Sequence, residues 1–234
     1  YKKTNFEMTL SEFKPIFMYE YLHRILGRII GIIFFIPLLY FTLRKAIPPV
    51  LIPRLYLLLI LGGFQGVLGW YMVKSGLVDD PNVSQYRLTA HLGMAVFIYS
   101  LILWTVFDLS LNYNHAIRSR IKWMSSTLTL LIFLMILSGG LVAGTRAGIP
   151  FPTWPLMGDT FIPPQIYSMN PSWLSAFEDM ATIQFNHRMF AYLLTIFIVI
   201  FAIVLLGSNV PRFLKNGTTV LLFVLSLQVV LGLS

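Results

Sequence analysis

The sequence predicts an all-α integral membrane protein, and three observations lead to that fold class. Only 11% of the 234 residues are charged, whereas a soluble domain carries about a quarter. The mean hydropathy is +0.77. Six apolar runs reach or approach the ~20 residues that span a ~30 Å hydrocarbon core, and runs this long without alternation form helices rather than barrel strands. The runs cover residues 21–41, 55–73, 88–107, 123–143, 185–206 and 217–233.

The formal charge of +8 follows the loops between these runs, which favours a membrane topology over nucleic-acid binding. Cytoplasmic or matrix loops carry an excess of Lys and Arg, so we expect the first, third and fifth helices to begin on the opposite, outer side. His115, in the basic loop after the third run, is interpreted as an ordinary loop residue. The basic loops after the first, third and fifth runs contain Arg44, Lys45, Arg54, Arg118, Arg120, Lys122, Arg212 and Lys215.

The chain contains no cysteine. Disulfides, iron–sulfur clusters and thiolate ligands are therefore excluded from these residues, and His, Met and carboxylates remain as candidate metal ligands. Residues 1–19 are polar and lack the apolar core of a signal peptide. Since this polar start is expected on the outer side with no span before it, we expect the chain to begin within a longer protein.

Two short blocks recur along the chain at nearly the same offset. EYLHR (20–24) returns as QFNHR (184–188), and QGVLG (65–69) returns as QVVLG (228–232). Chance recurrence of common dipeptides is the alternative, but the shared order and position predict two pseudo-symmetric four-helix-bundle halves. The repeat then implies that six of eight helices are present. The predicted domains are an N-terminal half at 1–143, whose last helix starts the second bundle, an outer loop at 144–183, and part of the C-terminal half at 184–234.

Three histidines lie near the outer ends of three predicted helices. His23, His91 and His187 open the first, third and fifth apolar runs. A single membrane histidine commonly hydrogen-bonds between helices, but three at one depth also suit haem iron, for which imidazole is a common axial ligand. The pattern alone leaves both interpretations open.

Small and basic residues surround these histidines. Gly27 and Gly31 follow His23 at i+4 and i+8 on the same helix face, which clears that face for a flat macrocycle or for a neighbouring helix. The basic candidates for pairing with haem propionates are the residues directly after two histidines and one a turn deeper, with extension to lipid headgroups as the alternative. They are Arg24, Arg188 and Arg28.

The two histidine blocks differ in one ionisable residue. Glu20 and Gln184 each precede their histidine by three positions and so share its helix face. A glutamate can exchange a proton, whereas a glutamine can only hydrogen-bond. This difference predicts chemistry in the first half and a fixed cofactor in the second, unless Glu20 only marks the end of the span. The loop at 151–179, long and rich in proline, is expected to form an interfacial lid.

Four blocks together resemble the haem A synthase family in its proteobacterial and mitochondrial form, and the resemblance runs through nearly the whole chain. It implies eight helices in two four-helix halves, of which the family's first and last are missing here. It also implies oxidation of the C8 methyl group of haem O to a formyl group, which makes haem A for terminal cytochrome oxidases. The blocks are EYLHRILGRIIG (20–31), VSQYRLTAHLGMA (83–95), GGLVAGTRAGIPFPTWPLMGD (139–159) and QFNHRMFAYLL (184–194).

The resemblance also assigns roles to residues. It implies that His23 and His91 hold the substrate haem O, that Glu20 assists catalysis, and that His187 is one ligand of a haem b whose second ligand lies outside this chain. Expected partners are the lipid bilayer, haem O synthase, cytochrome oxidase assembly factors and a second copy of the chain. The expected location is the bacterial plasma membrane or the mitochondrial inner membrane, with the haem sites toward the periplasm or intermembrane space.

Two other function classes fit parts of the pattern. A cytochrome b-like electron-transfer subunit would also use histidine pairs, but it needs no carboxylate beside a ligand. A transporter or haem chaperone would bind no redox cofactor of its own. Glu20 and the haem content therefore distinguish the three hypotheses.

Overall fold

The computed structural model describes residues 8–75, 83–111 and 117–233. Within these ranges, six helices are long and apolar enough to cross a membrane, which confirms the predicted all-α membrane fold class. His115 lies outside the described residues. The helices are α1 Leu10–Leu43, α2 Ile52–Ser75, α3 Gln85–Ser110, α4 Ser119–Thr145, α5 Ser175–Glu178, α6 Met180–Leu206 and α7 Arg212–Leu233, with a 3-10 turn over Ser172–Leu174 before α5.

Helix α1 begins at Leu10 rather than at residue 21, where the apolar run starts. A capping box explains the difference. The amide of Glu12 donates to Thr9 Oγ1 at 3.4 Å, and the amide of Thr9 donates to Glu12 Oε2 at 2.8 Å, so two free amides are satisfied before the apolar run begins. At 1.5 Å per residue the helix is about 50 Å long, which exceeds the ~30 Å hydrocarbon core. One end of α1 therefore projects beyond the hydrocarbon.

The chain divides into two compact units, residues 1–110 and 111–234. In the first unit α2 packs along α3 and α1 packs along α2. In the second unit α6 packs against both α4 and α7. The compact units thus place α4 with α6 and α7. The predicted N-terminal half at 1–143 included this helix as the one that starts the second bundle, and that division stays a prediction.

The second unit has the better-defined core. Helices α4 and α6 meet over a cluster of buried apolar side chains, and Gly140 of α4 is buried as well. Small residues allow membrane helices to approach closely where lipid removes the usual hydrophobic drive. This contact fixes α4 against the helix that carries His187. The cluster consists of Ile121, Leu128, Leu194, Ile198, Phe201 and Leu205.

Candidate functional site

The first histidine block lies on an exposed stretch of α1. Glu20, His23 and Arg24 are all exposed, and Arg24 Nη1 lies 3.8 Å from Glu20 Oε2. Both side chains of this i,i+4 pair are about half exposed (44% and 56%), so the pair contributes at most about 1 kcal/mol. Glu20 is therefore paired with a positive charge and still accessible to a reacting group.

The face of α1 beyond His23 is open. A Cβ atom placed on Gly27 or Gly31 would have no neighbouring atom within 4 Å. Arg28, one turn past Arg24, is also exposed. This open surface can accept a flat ring or a neighbouring helix, and it leaves the guanidinium of Arg28 free to reach an anionic group.

His91 of α3 lies directly against the backbone of α2. A Cβ atom on Gly69 would stand 2.9 Å from Cε1 of His91, with Nε2 and Nδ1 at 3.5 and 3.6 Å from the same point. One turn earlier on α2, Gln65 donates from Nε2 to the main-chain oxygen of His91 at 3.0 Å. The position of this imidazole is thus determined by two residues of the adjacent helix.

Two buried polar atoms in this contact have no hydrogen-bond partner among the residues that the structure describes. They are Nδ1 of His91 and Oε1 of Gln65. Buried polar atoms are nearly always hydrogen-bonded, so two unsatisfied atoms on residues already in contact indicate a site that is completed by a further group or by a small rearrangement.

His23 and His91 both belong to the first unit. They come from different helices, α1 and α3, and both of these helices pack along α2. Their assignment to one ligand pair stays a prediction.

Arg87 is a residue of this region that the sequence analysis did not single out. Its guanidinium carbon lies 3.8 Å from the centroid of the Tyr71 ring, and Nη1 donates to the main-chain oxygen of Tyr71 at 3.1 Å. Arg87 precedes His91 by four residues and shares its helix face. That spacing was the only available signal, and it does not reveal the cation–π contact that fastens α3 to the end of α2.

His187 of α6 is held by α4. Its Nδ1 lies 3.0 Å from Oγ of Ser138, and a Cβ on Gly139 would make an ordinary contact of 3.6 Å with its Cε1. When Nδ1–H donates to a neighbour, Nε2 is left to bind a metal, which is the usual arrangement of a ligating histidine. The contact of Ser138 with His187 was not predicted, because a serine before two glycines resembles an ordinary helix-packing segment.

Gln184 differs from Glu20 in its surroundings as well as in its chemistry. Its Oε1 is buried and has no hydrogen-bond partner, whereas Glu20 is exposed and paired with Arg24. The second unit therefore presents a neutral, enclosed amide one turn before its histidine, in the place where the first unit presents an accessible charge.

Arg188 binds the outer loop, which we define as the residues between α4 and α6 (146–179). Its Nη2 donates to the main-chain oxygen of Phe151 at 2.7 Å and its Nη1 to that of Leu156 at 3.1 Å. Arg188 was predicted as a candidate partner of a haem propionate, with a lipid headgroup as the alternative. In the structure, two of its nitrogens donate to main-chain carbonyls, and the propionate pairing stays a prediction.

Further bonds hold the outer loop against the first turns of α6. Trp154 Nε1 donates to the hydroxyl of Tyr192 at 2.9 Å. The hydroxyl of Tyr167 donates to Asn186 Oδ1 at 3.0 Å, and the amide of Tyr167 donates to Thr182 Oγ1 at 3.1 Å. These contacts lie on both sides of His187 along the helix, so the loop is an ordered cover over the N-terminal end of α6.

Histidines are the candidate iron ligands that the described residues offer. Within the three described ranges, no group of three or more His, Asp or Glu side chains is close enough to hold a metal ion. Haem iron takes most of its ligands from the macrocycle and needs only one or two from the protein. Histidine is the side chain type that supplies such a ligand, and the assignment of His23, His91 and His187 to haem iron stays a prediction.

Comparison with known proteins relates the whole chain to one family. Residues 1–234 match the family COX15-CtaA, described as cytochrome oxidase assembly protein. "Heme A synthase" of Nitrosospira multiformis is 47% identical over 100% of this chain and 67% of its own length. "Heme A synthase" of Parvibaculum lavamentivorans is 46% identical over 85% of this chain and 58% of its own length, and that of Bradyrhizobium diazoefficiens is 40% identical over 100% and 65%.

The chain thus spans between 58% and 67% of the length of these three relatives. No solved structure matches it significantly.

Proposed function

We propose that this chain, which belongs to the COX15-CtaA family of cytochrome oxidase assembly proteins, carries out the reaction of a haem A synthase. It acts as a membrane oxidoreductase that converts the C8 methyl group of haem O into the formyl group of haem A. The observation that carries the proposal is the accessible Glu20 one turn before His23, in the unit that also contains His91 on α3. Support also comes from the relatives named heme A synthase.

The substrate site is formed by the first unit. His23 and His91 hold the iron of haem O, and the open face at Gly27 and Gly31 receives its ring. Haem O is lipid-soluble, so the exposure of this face of α1 suits entry from the bilayer. Arg28, exposed one turn deeper, pairs with a propionate.

Glu20 supports the chemistry of the methyl group. Oxidation of the methyl group to a formyl group removes hydrogen from the methyl carbon. Protons must therefore leave this carbon, or positive charge must develop on it. A carboxylate can accept a proton or stabilise a cation, and Arg24 lies 3.8 Å from Glu20. Gln184 cannot take either role, which limits the reaction to the first unit.

The second unit is the cofactor site. His187 holds a haem b there, with Ser138 fixing the orientation of its imidazole at 3.0 Å. Bound haem b supplies one-electron transfer. Arg188 and the outer loop keep the outer end of α6 covered, and the buried amide of Gln184 adds no charge that would alter the site.

A Glu20→Gln variant of the intact protein tests the proposal. General acid–base groups contribute about 10²-fold or more to a rate, so we expect haem A to fall to a small fraction and haem O to accumulate in extracted haems. Glu12→Gln is the matched control, because Glu12 is on the same helix, is remote from His23, and a glutamine still completes the capping box. An unchanged haem A yield in Glu20→Gln would show that Glu20 has no catalytic role.

The second candidate is a cytochrome b-like electron-transfer subunit, which the histidine pair in the first unit also favours. It predicts a b-type band in the reduced-minus-oxidised spectrum without conversion of haem O. Detection of haem A in cells that supply only haem O separates the two functions. The environment proposed for either function is the plasma membrane or the mitochondrial inner membrane, with haem sites outward. Haem O synthase, oxidase assembly factors and a second copy are the proposed partners.

A further inference from the structure

We propose that Gln65 and Gly69 of α2 are positioning residues that set the orientation of the His91 imidazole for binding iron. This inference rests on the proposed function, because it takes His91 to be a ligand of the substrate haem. Neither residue touches the haem in this proposal. Both act through the ring of His91.

Gly69 provides the surface against which the ring lies. A Cβ at this position would stand 2.9 Å from Cε1 of His91, a separation that packed carbon atoms do not adopt. The backbone of α2 packs along α3, so the ring of His91 yields more easily than the helices. An alanine at position 69 would therefore turn the imidazole away from its present orientation.

Gln65 fixes the same residue in a second way. Its Nε2 holds the main-chain oxygen of His91 at 3.0 Å, which sets the height of α3 against α2. Its Oε1 and Nδ1 of His91 are both buried and both lack a partner. A histidine that binds iron through Nε2 carries its proton on Nδ1, and that proton needs an acceptor. Gln65 Oε1 is an acceptor on a residue already bonded to His91.

The sequence repeat supports a structural role for Gln65 and Gly69. Gln65 and Gly69 return as Gln228 and Gly232 at the same points of α7. A Cβ on Gly232 would have no atom within 4 Å among the described residues, so no imidazole lies against this second glycine there. The pair Gln-x-x-x-Gly is thus present once on α2 and once on α7.

The experiment compares five variants of the intact protein loaded with haem O. Gly69→Ala should weaken retention of the low-spin, histidine-ligated substrate haem by about 10- to 100-fold, the usual effect of losing a group that orients a metal ligand. Gln65→Met removes both hydrogen-bonding groups without adding bulk and should have a similar effect, with a raised midpoint potential because the ligand becomes less basic. Gln65→Glu keeps an acceptor for Nδ1–H but has no donor for the main-chain oxygen of His91, so it should recover only part of the low-spin signal.

Gly66→Ala is the matched control, since a Cβ there meets no atom within 4 Å and it lies one turn from Gly69 on the same helix. The low-spin signal is read by electron paramagnetic resonance, and thermal unfolding in detergent reports folding. If Gly69→Ala misfolds, Gln65→Met decides alone. A normal low-spin signal and potential in Gln65→Met, or in a folded Gly69→Ala, overturns the inference.

A His91→Ala variant keeps this outcome separate from the proposed function. If His91→Ala loses the substrate haem while the Gln65 and Gly69 variants keep it, only the positioning role is wrong. If His91→Ala keeps the low-spin signal and forms haem A, the assignment of His91 to the substrate fails, and the inference fails with it.

Discussion

Replacing Arg188 by alanine should release the outer loop from α6. The guanidinium donates to the main-chain oxygens of Phe151 and Leu156 at 2.7 and 3.1 Å, and alanine offers neither bond. The loop keeps its other hydrogen bonds to α6. Trp154 and Tyr167 make these bonds on either side of Arg188 along the helix. We therefore expect more frequent local opening rather than loss of the fold.

The structure sets the size of the effect. The bond to Phe151 is short and partly buried, and a hydrogen bond from a charged donor in such a place is worth about 1.5–3 kcal/mol. The bond to Leu156 is exposed and adds about 0.5–1 kcal/mol. Together they amount to about 2–4 kcal/mol, which raises the opening equilibrium by about 30-fold to several hundred-fold.

A cysteine introduced at a buried position of the loop measures that opening. Met157 is 4% exposed and follows directly after Leu156, so the thiol introduced by Met157→Cys reacts with a maleimide only when the loop opens. Labelling, followed on the peptide by mass spectrometry, should accelerate by the factor above in Arg188→Ala. Arg188→Lys should fall between, because a lysine keeps the charge but not the two-pronged geometry.

Arg212→Ala in the same Met157→Cys background is the control, since Arg212 is exposed at the start of α7 and should leave labelling unchanged. Equal labelling in Arg188→Ala and the control refutes the reasoning. In that case, a loss of bound haem in Arg188→Ala would favour the propionate pairing that the sequence suggested.

Two further predictions concern the second unit. Ser138→Ala should weaken haem retention at His187 by about 10-fold or more, measured from the b-type band after dilution. Ser125→Ala is the control, because the hydroxyl of Ser125 bonds within α4, and it should leave haem retention unchanged. Equal haem retention in the two variants would contradict the orienting role of Ser138. Gln184→Glu should lower the free energy of unfolding by about 1–3 kcal/mol, because it places a carboxylate where Oε1 is buried without a partner. Glu20→Gln should change the free energy of unfolding little. Equal thermal unfolding of the two variants would argue against this difference in environment.

The membrane helices were predictable from the sequence because hydrocarbon imposes a length on apolar runs. The run at 185–206 corresponds to α6, and the run at 123–143 to α4. The ends were not predictable from hydropathy, because polar residues extend these helices into the interface. Thr9 and Asp179 cap α1 and α6 with side-chain acceptors, a signal that hydropathy averages away.

The site was predictable within a helix and not between helices. The spacing of Glu20 and Arg24 fixes them on one face, and the structure pairs them at 3.8 Å. The contacts of Gln65 with His91 and of Ser138 with His187 depend on the rotation of each helix about its axis. Packing between helices determines this rotation, which cannot be predicted from residue spacing or composition.

The contrast between Glu20 and Gln184 has an evolutionary consequence. Glu20 and Gln184 occupy equivalent positions in the two recurring blocks. Folding does not oppose a glutamine at the exposed position 20, but it opposes a glutamate at the enclosed position 184. Selection for stability alone would tolerate loss of the carboxylate in the first block and would oppose the gain of one in the second. A glutamate at position 20 therefore adds little to folding, and we expect its effect in the chemistry proposed for the first unit.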